Sequence, residues 1–288
     1  MKSLILGILF LIHFKMSAII IVVHGTFAAE ASWWKSGGDF YQALEYEANK
    51  LNEKIHSFNW AGALNNIARI RAAKELSEFI LSLENEKIIL IGHSFGGNVI
   101  NLASKLLYHY ENTPAFSSCA DIAEFVQAYR DLEKIRNKKC CKHLIEMVYL
   151  LGTPIDPQQF YPNMYVIKYL CNLYSPHDNV QSIGGFYYKT FKNLEQSANF
   201  EVIIRDPKVP KGYPNHYQMH HPIIAQSILY IPFNFKEQKI GGFELFEWKE
   251  NGIIEFSLDQ FPNYIVNKKP ENPIMEKDTE SSSLPLWS

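Results

Sequence analysis

The chain lacks several features that would mark it as a member of a large protein class. Its four cysteines, Cys119, Cys140, Cys141 and Cys171, include no C-x-x-C pair of the kind that brackets a zinc ion. A zinc site is therefore not expected. Adjacent Cys140 and Cys141 cannot easily bridge each other, and the count points to reduced thiols, although an oxidising compartment could pair either with Cys119 or Cys171. Excess charge of one sign is also missing, with 28 Lys and Arg against 30 Asp and Glu and a formal net charge of −2. No basic field is available to attract a phosphate backbone, so nucleic acid is excluded as an expected partner. The densest basic stretch, residues 134–142, is interrupted by Ile135, Asn137 and two cysteines and reads as a solvated helix end. No internal repeat is visible.

What remains is the composition of a folded α/β protein. At 47% hydrophobic and 20% charged residues, wholesale disorder is excluded. Lys2 followed by the apolar run 4–14 resembles the start of a signal peptide, but the run is too short to span a bilayer, and no small-x-small cleavage site precedes Ser17-Ala18. A core strand begins almost at once with Ile19. A cytoplasmic location is slightly preferred to export or membrane anchoring through residues 1–17, and residues 1–15 remain open as a signal, an anchor or a stretch upstream of a start at Met16.

Residues 18–23 form a continuous β-branched run, as expected of a parallel strand buried on both faces. Helical spacing of Phe40, Leu44 and Ala48 follows, then an extended segment over 54–60 and a helix over 64–83. A third apolar strand, 87–91, leads through a glycine-rich turn to a helix over 98–110. This strand-helix alternation implies a mostly parallel sheet with helices on both faces. Strands are expected again over 146–151, 165–173 and 200–204, with a last helix over 222–230. Residues 111–143, polar and helix-prone, are read as a small helical cap inserted over the sheet. Asn251-Gly252 between 243–248 and 253–258 is a hairpin signal. The expected domain therefore runs over 18–266, and the proline- and serine-containing tail 267–288 is expected to be disordered.

The turn Gly92-His93-Ser94-Phe95-Gly96 matches G-x-S-x-G, with a strand before it and a helix after it. The chemistry behind that pattern is a strained turn that thrusts a serine hydroxyl out above the sheet. At the end of the first strand stands His24-Gly25-Thr26-Phe27, where backbone N–H donors for a developing oxyanion would come from Thr26 or Phe27, with another from Phe95. His24 is expected to hold that loop and not to act as a base. These two motifs together resemble the lipase and esterase branch of the α/β-hydrolase superfamily over about residues 18–230. More narrowly, His24-Gly25-Thr26-Phe27-Ala28, Trp33-Trp34, Gly38-Asp39-Phe40 and Phe58-Asn59-Trp60-Ala61-Gly62 resemble a poorly characterised group of bacterial hydrolases.

The resemblance implies an α/β-hydrolase fold and a triad in the chain order Ser, acid, His. Ser94 would be the nucleophile and Asp178, just past a strand end in an Asp-x-Val turn, the acid. Asp156 and Asp206 compete, and Asp156 reads better as a capping or solvated residue. Among His216, His220 and His221 the base is assigned to His216, whose His-Tyr-Gln-Met context resembles a pattern that often carries it, with His220 as the alternative. A metal site on these histidines is disfavoured because no carboxylate partner is recognisable.

The expected activity is hydrolysis of a carboxylic ester through an acyl-enzyme, with no cofactor. Phe27, Trp33, Trp34, Phe40 and Phe95 either rim the nucleophile, suiting an apolar acyl group, or simply pack; packing is preferred for the tryptophans. The partner would be a small-molecule or lipid ester. Two other readings are a catalytically silent binding protein of the same fold, and a lipid acyltransferase or phospholipase associated with a membrane surface.

Overall fold

The computed structural model describes residues 18–83, 86–108, 114–136, 142–181, 188–192, 194–207, 209, 212–231, 251–257 and 260–265. Residues 1–17, the expected tail 267–288 and the expected strand 243–248 lie outside them. β1 (Ala18–Val23), β2 (Lys54–Phe58), β3 (Lys87–His93), β4 (Ile145–Leu151), β5 (Ile167–Tyr174), β6 (Ser197–Arg205), β7 (Asn251–Ser257) and β8 (Gln260–Ile265) form one sheet in the order β2-β1-β3-β4-β5-β6-β7-β8. The first seven strands are mutually parallel, and β8 pairs antiparallel with β7 at the edge.

Alternating side chains explain why both faces are covered. In β1, Ile21 and Val23 enter one core while Ile20 and Val22 enter the other. The first core is closed by α2 (Asn66–Ser82), α3 (Phe95–Leu106) and α4 (Cys119–Arg136), and the second by α1 (Asp39–Leu51) and α5 (Pro222–Ile228). The resulting architecture is the α/β-hydrolase-like one expected. Among the described residues no helix is long and apolar enough to cross a membrane.

Chain direction determines where the site falls. From β1 the chain steps outward to β2, then returns past β1 to β3 and continues the other way. The order of the strands reverses between β1 and β3, and at such a switch point the loops leaving the carboxyl ends diverge to opposite faces and open a crevice. Gly25 and Ser94 stand at that position.

The segment 111–143, expected as a helical cap, contains α4, and one element elsewhere differs from the sequence reading. Phe125, Ala128 and Leu132 of α4 repeat at helical spacing and are buried in the core shared with α2 and α3. The hairpin is displaced. Asn251 and Gly252 are not its turn but the start of β7, paired with Asn199 and Phe200, and the hairpin is formed by β7 and β8. A Cβ at Gly252 would stand 3.2 Å from the Phe200 ring, so the glycine serves close packing there.

If α4 belongs to the core, Leu132→Ala should cost about 2–5 kcal/mol in urea unfolding. A loss below about 1 kcal/mol would mean that the helix only rests on the surface.

Candidate active site

Ser94 follows the last residue of β3 and directly precedes α3. Its backbone is held at φ 55°, ψ −133°, a strained conformation for a residue with a side chain. Its N–H donates to the Leu151 carbonyl at 2.9 Å, tying the turn to β4. The first turn of α3 then passes so close to its neighbours that side chains are forbidden. A Cβ on Gly96 would lie 2.4 Å from the carbonyl oxygens of Val23 and His24, and one on Gly97 would lie 2.0 Å from Thr153 Oγ1. A Cβ on Gly92 would lie 2.7 Å from Gly97 Cα, so both flanking glycines of the motif, Gly92 and Gly96, are steric necessities.

Three side chains from three strand ends meet at this turn. His216 Nε2 lies 2.9 Å from Ser94 Oγ, and His216 Nδ1 lies 2.8 Å from Asp178 Oδ2. A carboxylate can only accept, so Nδ1 carries the proton, and Nε2 is left to accept from the Ser94 hydroxyl. Ser94 is 4% exposed, His216 is buried and Asp178 is fully buried. Asp178 Oδ1 accepts the amides of Val180 at 2.9 Å and Gln181 at 3.2 Å, so both of its oxygens are engaged. Lys189 Nζ donates to the carbonyls of Ser175 and Pro176 and pins the loop that carries the acid. Gly152, at φ +59°, lets β4 turn beneath the pair, since a Cβ there would come 2.7 Å from Asp178 Oδ2.

The competing residues have other partners. Asp156 Oδ1 accepts the amides of Gln158 and Gln159, the capping role expected of it. Asp206 lies 3.6 Å from His221 Nε2, and His221 Nδ1 accepts the Ile223 amide at the start of α5. His220 is stacked on Trp33, with ring centroids 4.3 Å apart and planes within 7°. Burial pushes its pKa down to about 4.

The loop after β1 is held by aromatic rings. His24 Nδ1 lies 2.8 Å from the Gly25 carbonyl, Nε2 lies 3.1 Å from the Trp60 carbonyl and 3.3 Å from the Trp60 amide, and the ring stacks between Trp34 and Trp60. Burial lowers its pKa, against the carbonyls of Gly25 and Trp60, which raise it. Of the five aromatics considered for the rim, Trp34 and Phe40 are core residues, Trp33 packs on His220, and Phe95 is buried beneath the Arg69 guanidinium. Only Phe27 stands clear, 82% exposed and at φ +60°.

The Phe27 amide, considered for oxyanion binding, is already committed: it donates to the Gly62 carbonyl at 2.8 Å. The Thr26 amide has no acceptor among the described residues, and Phe95 is the first residue of α3. One residue escaped the sequence reading. His93, quoted only as the variable position of the motif, donates through Nε2 to the His216 carbonyl at 2.9 Å. No local signal could have shown this, because the partner lies far along the chain. Among the described residues, no cluster of three or more His, Cys, Asp or Glu is arranged to hold a metal ion.

No family model matches the chain, and no curated protein matches it in sequence. Among solved structures it is similar to a metagenomic carboxyl esterase over 56% of this chain and 50% of that one, at 14% identity and a TM-score of 0.34. It is also similar to an acetyl xylan esterase, solved as an iodinated complex, over 48% of this chain and 63% of that one, at 14% identity and a TM-score of 0.28. The chain thus spans less than two thirds of either protein, and likenesses this slight carry no chemistry across.

His220 makes the stability pH-dependent. Unfolded, it binds a proton near pH 6.5; folded, only near pH 4. Between those values the unfolded state holds more protons, so stability falls as pH is lowered through the window. His220→Phe, which keeps the stack on Trp33, should flatten that fall in urea unfolding at stepped pH. An unchanged slope would contradict the buried neutral state.

Proposed function

We propose that the protein is a serine hydrolase of carboxylic esters, with Ser94 as nucleophile, His216 as general base and Asp178 as the acid that orients it. The observation that carries this reading is the pair of hydrogen bonds, 2.8 Å and 2.9 Å, joining Asp178, His216 and Ser94 at a strained turn on the carboxyl edge of the sheet. A buried serine, imidazole and carboxylate in series have little structural use for such strain, whereas acyl transfer uses all three.

In the proposed reaction Ser94 Oγ attacks the ester carbonyl carbon while His216 Nε2 takes the hydroxyl proton. Negative charge gathers on the carbonyl oxygen. The amides of Thr26 and Phe95 would receive it, helped by the positive end of α3. His216 then returns its proton to the departing alkoxide oxygen, the C–O bond breaks, and the acyl group stays on Ser94. Water attacks next, giving its proton to His216, and the acid leaves as Ser94 recovers its hydrogen. Asp178 stays ionised throughout and stabilises the imidazolium. No step requires a cofactor.

Phe27 at 82% and Tyr217 at 76% exposure stand beside the site, one a single residue past Thr26 and the other next to His216. Their exposure favours an acyl group with apolar character and is the observation that supports action on lipid esters at a membrane surface. The catalytically silent reading has no such support, since it leaves the hydrogen-bonded series without a purpose.

Hydrolysis of p-nitrophenyl butyrate tests the assignment. Ser94→Ala and His216→Ala should each lower kcat by about 10³-fold or more, and Asp178→Asn by about 10²–10⁴-fold. His220→Phe should stay within a few-fold of the wild type. Full activity in Ser94→Ala would refute the proposal.

A further inference from the structure

His93 takes no part in the proposed reaction, yet the loops that carry that reaction meet on its ring. It ends β3, one residue before Ser94, and is 5% exposed. Its ring centroid lies 4.7 Å from that of His216, 5.0 Å edge-on from His220 and 5.3 Å edge-on from Trp33. Trp33 in turn stacks on His220. One imidazole therefore touches the strand of the nucleophile, the loop leaving β1 and the segment of the base.

The hydrogen bond from this ring acts where the base most needs support. His216 precedes a single 3-10 turn, Tyr217–His220, which offers its main chain little hold. Its carbonyl accepts the Met219 amide only at 3.4 Å, and the 2.9 Å bond from His93 Nε2 is the shorter of the two. At the other end of the residue, Asp178 holds Nδ1 and sets the rotation of the ring. Rotation alone does not fix the separation of Nε2 from Ser94 Oγ, because the main chain can still rise or sink. A displacement of about 1 Å at such a site costs about 100-fold in rate.

We infer that His93 is a positioning residue: by donating Nε2–H to the His216 carbonyl, it sets the distance at which the base meets the nucleophile. This role rests on the reading of Ser94 as nucleophile. The donor must be a neutral ring bearing its proton on Nε2. Burial, followed by repulsion from His220, His216 and His24, holds the His93 pKa well below the ordinary histidine value, so the ring keeps that form. An aliphatic side chain could fill the space but would leave the His216 carbonyl without its best donor.

The test compares wild type, His93→Gln and His93→Leu as full-length chains hydrolysing p-nitrophenyl butyrate, with folding checked by circular dichroism and urea unfolding. The glutamine amide places an N–H near the position of Nε2. His93→Leu should lower kcat by about 10- to 100-fold with KM nearly unchanged, and His93→Gln should recover most of the loss. Should His93→Leu fail to fold, His93→Asn, whose shorter amide falls short of the carbonyl, carries the same expectation. Wild-type kcat in a folded variant without the donor, or a glutamine variant as slow as the leucine one, would overturn the assignment. No turnover by wild type would instead overturn the hydrolase reading itself.

Discussion

The structure depends on how closely the main chain can approach itself around Ser94. The serine sits at φ 55°, ψ −133°, which costs about 1–3 kcal/mol and persists only where the surroundings over-determine it. They do so here because α3 starts in contact with the end of β1 and with the turn after β4, an approach that Gly96 and Gly97 alone allow. The switch in strand order between β1 and β3 supplies the crevice, and the close approach fills its floor with main chain. The hydroxyl is thereby raised to where loops from β5 and β6 can bring Asp178 and His216 to it.

Around that turn, imidazoles with different surroundings have taken different work. His24 is clamped between two indoles and braces the loop leaving β1. His220 lies flat on Trp33, and His221 caps α5. His93 and His220 are driven to the neutral form by burial, so neither adds a positive charge beside His216. That matters for the proposed chemistry, in which His216 itself must become cationic next to Asp178 and should meet no competing charge.

Much of this was legible in the sequence because it is local. The apolar strands, the helical stripe of Phe40, Leu44 and Ala48, and the G-x-S-x-G turn each declare themselves within a few residues. Asp178 and His216 are suggested by their position after successive strands and by short patterns resembling known ones, and the structure brings both to Ser94. The features that escaped depend on distant partners. What α4 packs against is decided by distant partners in α2 and α3, which the spacing of Phe125 and Leu132 does not reveal. Asn251-Gly252 looks like a turn because the dipeptide favours one, yet pairing with Asn199 and Phe200 across the sheet draws both residues into a strand. The Phe27 amide was considered for an oxyanion, but Gly62, in the loop beyond β2, takes it. His93 was invisible for the same reason, its acceptor being a carbonyl on the segment after β6.

The account stands on Ser94 being a nucleophile activated by His216, and covalent capture tests that directly. Folded protein would be treated with a fluorophosphonate and the adduct located by intact-mass and peptide mass spectrometry. A single phosphonyl group on Ser94, absent when that serine is replaced by alanine, is the predicted result. An unmodified folded protein, or an adduct on another residue that persists in Ser94→Ala, would contradict the account.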